Sequence, residues 1–231
     1  MRVYNSAEYA IQKLMSQRFS SDVLIIGGGA AGLAAALHLA KTFRVTILSK
    51  GDEKSGSSHW AQGGIASVTD PADSFESHIK DTLESGAGLC DSLTVDSVVK
   101  SAPLAIKHLS QWGVTFDSEE NEYHLTREGG HSTRRILHIA DATGKAITEA
   151  LTQKTLDHPN IEMFNDRVAI DLIKTSKPGR LSKTAAGAYV LNKTSQKIEV
   201  FQSNHTIIAT GGASKVYLYT TNPDGSTGDG I

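Results

Sequence analysis

Residues 22–32 read Asp22-Val23-Leu24-Ile25-Ile26-Gly27-Gly28-Gly29-Ala30-Ala31-Gly32, and the order of residue types in this stretch decides the fold. An apolar run, Val23 to Ile26, ends in Gly27-x-Gly29-x-x-Gly32, and a small, apolar segment with helical character follows from Ala30 to Ala40. This is the order that seats a dinucleotide pyrophosphate. Gly27 permits the tight turn, and Gly29 lacks the side chain that would hold the backbone away from phosphates. Gly32 lets the helix pack close to its strand. The helix start then offers free N–H groups and a partial positive charge to an anion. A second short run, Arg44 to Leu48, completes a β-α-β unit.

Outward from that unit, composition narrows the class. The chain has 231 residues, 39% of them hydrophobic and 21% charged, which suits a folded chain with an ordinary core. A net charge of -2 and the lack of a basic stripe with interleaved aromatics argue against nucleic acid. No apolar stretch approaches the roughly 18–20 residues of a membrane span. The single Cys90 excludes an intramolecular disulfide and a cysteine metal cluster, and it fits a reducing, cytoplasmic setting. Residues 1–21 carry Arg2, Lys13 and Arg18 against Glu8 alone. They are expected to form a solvated N-terminal arm, disordered or weakly helical over Ala7 to Arg18.

Helices are predicted from Ser74 to about Ser85, Leu93 to Trp112 and Ala142 to Leu156. In the second, Val95, Val98, Val99, Ala102, Ile106 and Leu109 share one face, and Pro103 is a possible kink. The segment Asp117 to Arg135 is polar and irregular. Strand-like runs follow at Ile161–Phe164, Val168–Lys174, Ala185–Asn192, Lys197–Gln202 and His205–Ala209, with a turn at Lys177-Pro178-Gly179.

The second strand ends Leu48-Ser49-Lys50, without the acid that usually holds the ribose hydroxyls of NAD. Lys50 can instead meet a phosphate or a hydroxyl of the adenosine half. The loop Ser57 to Gly64 and the strand end Ala209-Thr210-Gly211-Gly212 turn the reading toward a flavin. Gly56-Ser57-Ser58-His59-Trp60-Ala61-Gln62-Gly63-Gly64-Ile65-Ala66 resembles the flavin loop of the succinate dehydrogenase, fumarate reductase and L-aspartate oxidase flavoproteins. Tyr123 to His138, with Thr126-Arg127-Glu128-Gly129-Gly130-His131, and Ala140-Asp141-Ala142-Thr143-Gly144 resemble the L-aspartate oxidase branch of that family. So does Ala209 to Gly230, and the resemblance covers residues 22–231. It implies an α/β, Rossmann-like FAD-binding domain with a central parallel sheet and an added β-meander. It also implies that the chain is truncated before the capping domain, so that residues 22–231 form an incomplete FAD-binding domain.

The same resemblance places FAD on Gly27, Gly28, Gly29, Ala30, Ala31 and Gly32, and on Lys50 at the adenosine side. It adds Ser57, Ser58, His59, Trp60, Ala61, Gln62, Gly63 and Gly64 around the flavin, and Asp229 near the cofactor. Family members that attach FAD covalently use a histidine five residues before the matching glutamine. Ser57 holds that position, and His59 lies three before Gln62. Non-covalent FAD is therefore expected, with His59 as a neighbour. Glu128 is expected to bind substrate, because a carboxylate can pair with an α-ammonium group that succinate lacks. His124, His131 and His138 recur every seven residues, which on a helix leaves about 10.5 Å between neighbours. That is too far for one metal ion, so no metal site is expected and loop hydrogen bonding is the reading. Arg127, Arg134 and Arg135 can hold anions or anchor the loop to Glu119, Glu120 and Asp141.

The implied activity is oxidation of L-aspartate to iminosuccinate, with dioxygen or fumarate reoxidising the flavin. This is the first step of de novo NAD biosynthesis, and its product goes to quinolinate synthase. The family's catalytic arginine maps to no residue of this chain, so the chain alone is expected to be inactive and to bind FAD weakly or not at all. Two alternatives stay open: a fumarate reductase or succinate dehydrogenase flavoprotein, and a non-catalytic truncated FAD-binding fragment.

Overall fold

The computed structural model describes residues 15–52, 54–120, 122–176 and 183–231. In chain order its first elements are β1 (Met15–Ile26), α1 (Ala30–Leu39), β2 (Val45–Leu48), β3 (Ile65–Ala66), α2 (Phe75–Ser85) and α3 (Ser92–Gln111). Next come β4 (Ser118–Glu119), β5 (Glu122–Tyr123), β6 (Leu125–Thr126), β7 (Ile136–Leu137) and α4 (Thr143–Leu156). The chain closes with β8 (Ile161–Phe164), β9 (Arg167–Ser176), β10 (Lys183–Asn192) and β11 (Lys197–Ile208). These elements fall into two compact units. The first holds the described residues up to His59 and Thr152–Ile231, and the second holds Trp60–Leu151.

The first unit is built on a six-stranded sheet in the order β8-β2-β1-β11-β10-β9. The neighbours β8, β2, β1 and β11 run parallel, while β9, β10 and β11 form an antiparallel meander. The expected parallel sheet and meander are therefore both present, sharing β11. Val23, Leu24, Ile25, Val45, Ile47 and Leu48 are all buried, and so is Thr46 between them, which explains the apolar character of both runs: a parallel strand covered on both faces has no solvent side.

Two expectations fail at this sheet. Residues 15–21, assigned to a loose arm that included the end of an Ala7–Arg18 helix, are the first half of β1. They pair with β11 from Arg18↔Val200 to Ser21↔Ser203. Phe19 stacks on Phe201 at 4.5 Å and meets Phe164 edge-on at 4.8 Å, so this half-strand carries its own packing. The rest of that helix, and the Lys177-Pro178-Gly179 turn, lie outside the described residues. The runs Lys197–Gln202 and His205–Ala209 are one strand, β11. Ser203 and Asn204 break the hydropathy pattern, but the ladder to β1 continues through Ser21↔Ser203 and Val23↔His205. Beside this ladder, the buried Glu199 takes Arg167 Nε at 2.6 Å and Asn192 Nδ2 at 2.7 Å, which satisfies a charge inside the meander.

In the second unit β3, β7 and β6 form a small antiparallel sheet, and α2 packs on α3. Both helices are capped: Ser74 Oγ accepts from Ser77 N–H and Asp91 from Thr94 N–H. The continuous α3 contains Pro103 without being split. Of its proposed apolar face, Val99 and Ile106 are buried but Val98 is 63% exposed.

Candidate functional site

The end of β1 turns into α1 as the glycine pattern requires. Gly27 has φ +125°, and a Cβ on it would overlap the carbonyl oxygen of Ala209. A Cβ on Gly32 would overlap the carbonyl oxygen of Gly27, so α1 sits directly against the turn. Gly29 differs. The nearest atom to its Cβ position is Ser58 Oγ at 3.6 Å, an ordinary van der Waals contact, so nothing in the fold itself excludes a side chain there. Gly29 is also the N-cap of α1, with no side-chain cap and no acid in the first turn. Ala30 N–H points to Ser58 Oγ at 3.4 Å. An uncapped helix start beside glycine-sized space suits an anion, and the pyrophosphate of a dinucleotide fits it.

Other expected residues of the first unit gather beside this turn. Lys50 Nζ donates to Asp229 Oδ2 and Thr227 Oγ1, each at 2.6 Å. The hydrogen bonds from Lys50, then from Thr227, hold the Asp229 carboxyl below its usual range. Ser57 Oγ meets Ser226 Oγ at 2.6 Å. His59 is buried, 8% exposed, and its N–H donates to Gly56.

In the second unit the rest of the loop is fixed at three points. Gly144 N–H donates to Ala61 O at 2.9 Å. Gly64 has φ +105°, and a Cβ on it would overlap Leu137 O. A Cβ on Gly63 would lie 3.0 Å from Glu128 Oε1, so the two residues brought together are the loop glycine and the expected substrate glutamate. Trp60 is 62% exposed, and Gln62 is exposed as well. Arg127 and Arg134 donate to the carbonyls of Ser132 and Leu125 rather than to Glu128.

The segment carrying Glu128 is anchored through Arg135, but not to Glu119, Glu120 or Asp141. The fully buried guanidinium donates twice to Asp73, at 2.8 Å each, to Asp81 at 2.5 Å and to Ser77 Oγ at 3.0 Å. Asp81 also accepts from Ser132 N–H and Oγ at 2.7 and 2.8 Å. Burial opposes the charged form of Asp81, yet the Ser132 and Arg135 bonds hold its carboxyl down to about 2. Burial, then the Arg135 charge, push His78 below the imidazole range. Asp73 and Asp81 carry no sequence signal because their partner lies over fifty positions away, and Thr227 carries none because an isolated threonine forms no motif. The three spaced histidines lie on no common helix: His124 Nδ1 meets His138 Nε2 at 2.9 Å, and His138 Nδ1 faces Asp117 at 3.2 Å.

A glycine turn opening an uncapped helix, on a sheet with a parallel core, defines an α/β protein that binds a dinucleotide. The family model described as "FAD binding domain" matches residues 22–231, and the chain belongs to that family, which makes FAD its cofactor. It is 51% identical to the L-aspartate oxidase of Pseudomonas aeruginosa over 225 residues, 94% of this chain and 42% of the relative. It is 52% identical to that of Yersinia pestis, with the same two shares. The chloroplastic L-aspartate oxidase of Arabidopsis thaliana is 43% identical over 91% of this chain and 32% of its own length. The chain thus spans about two-fifths of the first two relatives. Among solved structures, an E. coli quinol fumarate reductase superposes with a TM-score of 0.84 at 31% identity, over 94% of this chain and 37% of that one. A flavocytochrome c3 fumarate reductase superposes at 0.80 with 21% identity, a likeness of fold alone, over 99% of this chain and 42% of that one. No helix among the described residues is long and apolar enough to cross a membrane.

Proposed function

We propose that this chain supplies the cofactor-binding part of an FAD-dependent L-aspartate oxidase that forms iminosuccinate, the entry step of de novo NAD biosynthesis ahead of quinolinate synthase. Bound FAD would supply a two-electron acceptor for the hydride on the substrate Cα, with dioxygen or fumarate as the final acceptor. The backbone N–H groups of Gly28, Gly29, Ala30 and Ala31 hold the pyrophosphate, with Gly27 and Gly32 shaping the turn. Lys50 and Asp229 serve the adenosine side and its surroundings. Ser57, Ser58, His59, Trp60, Ala61, Gln62, Gly63 and Gly64 line the flavin, which is held without a covalent bond.

The observation that carries this reading is Glu128 lying against Gly63 of the Gln-Gly-Gly loop. A carboxylate there pairs with the α-ammonium of aspartate and offers nothing but repulsion to succinate. The direct test loads the complete gene product with FAD and follows anaerobic bleaching of the flavin band. L-Aspartate is expected to bleach it and succinate to fail. Glu128→Gln raises the KM for aspartate by about tenfold or more, the loss of one charge-assisted bond. Bleaching by succinate in preference to aspartate assigns the protein to the succinate dehydrogenase and fumarate reductase side. Acid precipitation of the same sample should leave the flavin in the supernatant; yellow colour retained in the pellet overturns non-covalent binding.

A further inference from the structure

Lys50, Thr227 and Asp229 close a ring of hydrogen bonds. Lys50 Nζ donates to Thr227 Oγ1 and Asp229 Oδ2 at 2.6 Å each, and Thr227 Oγ1 donates to Asp229 Oδ1 at 2.6 Å. An approach of the same hydroxyl to Gly225 O, at 3.5 Å, is too long to compete. The protons of the ring therefore have fixed places. A threonine hydroxyl has one hydrogen, and giving it to Asp229 turns an oxygen lone pair toward Lys50. An ammonium has three donors, so two are committed and one remains, with its direction set by the other two. Asp229 also neutralises the lysine, so the ring presents one aimed N–H rather than a net positive charge.

That N–H stands just past the end of β2. In a β-α-β dinucleotide unit this strand end faces the ribose of the adenosine half. We propose that Thr227 is a positioning residue for the cofactor: acting through Lys50, it aims the remaining ammonium N–H at a neutral oxygen, a ribose hydroxyl, of the adenosine half. The inference rests on Lys50 facing that half. A lysine held by Asp229 alone could swing about one contact, whereas two acceptors at fixed places on the 227–229 turn leave it a single orientation. Thr227 touches no cofactor atom in this scheme, and its effect vanishes when Lys50 is removed.

The test is calorimetric titration of the complete gene product, stripped of its flavin, with FAD, ADP and FMN. Thr227→Val is expected to weaken FAD and ADP by about 3- to 10-fold, the range of one net hydrogen bond. FMN, which has no adenosine half, should bind as before, and Thr227→Ser should restore ADP affinity. In a Lys50→Met background Thr227→Val should change nothing further. Unchanged ADP affinity in Thr227→Val, an equal loss for FMN, or additive losses in the double variant each overturn the positioning role. A Lys50→Met variant that binds ADP like the wild type removes Lys50 from the adenosine half, and the inference falls with it. Failure of the wild-type apoprotein to bind any of the three overturns the cradle reading itself. Thr227 is exposed and lies outside the sheet strands, so these variants keep the sheet intact.

Discussion

Gly27 and Gly29 belong to one motif, yet the structure gives them separable roles. A side chain at Gly27 meets backbone on one side and a φ of +125° on the other, so Gly27→Ala strains the turn itself. It is expected to lower stability by at least about 2 kcal/mol and to abolish FAD binding together with it. Gly29 has an ordinary φ of -81°, and a Cβ there would make only an ordinary contact, 3.6 Å from Ser58 Oγ. Gly29→Ala should therefore cost no more than about 1 kcal/mol, the loss of a preferred helix-capping glycine, while still blocking the cofactor. Urea unfolding and FAD titration on both variants separate the two; equal stability losses would sink the distinction. These roles were readable from the sequence because a glycine's steric effect is local. The Gly63–Glu128 approach was not. It joins residues 65 positions apart, and only the resemblance singled out Glu128 beforehand.

At the scale of elements, the sequence exposed helices and short buried strands and concealed long strands that cross polar residues. The predicted spans of α1, α2 and α4 differ from the observed ones by a residue at an end, since each has a periodic face, a cap or a stop such as His158-Pro159. In β1 the pattern Ser16-Gln17-Arg18-Phe19-Ser20 offers one apolar residue, and its order comes from β11 on the partner side of the ladder. Tertiary pairing, not propensity, makes that half-strand. Phe19 is then part of the core and not of an arm. Phe19→Ala removes the stack on Phe201 and the edge contact with Phe164, and should cost about 2–3 kcal/mol for a partly buried ring. Urea midpoints at constant m-value measure this. A change within experimental scatter would return residues 15–21 to the status of a dispensable extension.

For the whole molecule, Asp73 and Asp81, the carboxyls lowered around the buried Arg135, both lie in the second unit and set its response to acid. Burial opposes ionisation of Asp73 and Asp81, but the Arg135 bonds, with Ser74 N–H on Asp73 and Ser132 on Asp81, outweigh it. Both folded pKa values lie below the unfolded 3.8, so these groups add stability above that value. The contribution declines as pH falls from 3.8 and, for Asp81, is gone below about 2. His78 acts earlier. Its folded pKa is below 6.5, so the unfolded chain takes up a proton first once the pH drops under 6.5. In the first unit the depressed carboxyls of Asp224 and Asp229 sit on half-exposed or exposed side chains, where solvent screens them. Acid should therefore open the second unit before the six-stranded sheet. Hydrogen exchange read by mass spectrometry between pH 6.5 and 2.5, corrected for intrinsic rates, should show residues 60–151 losing protection first. Asp81→Asn should flatten that loss below pH 4, because the variant has no carboxylate left to protonate at this position. Simultaneous loss of protection in both units, or an unchanged profile in Asp81→Asn, would place the acid-sensitive charge elsewhere than around Arg135.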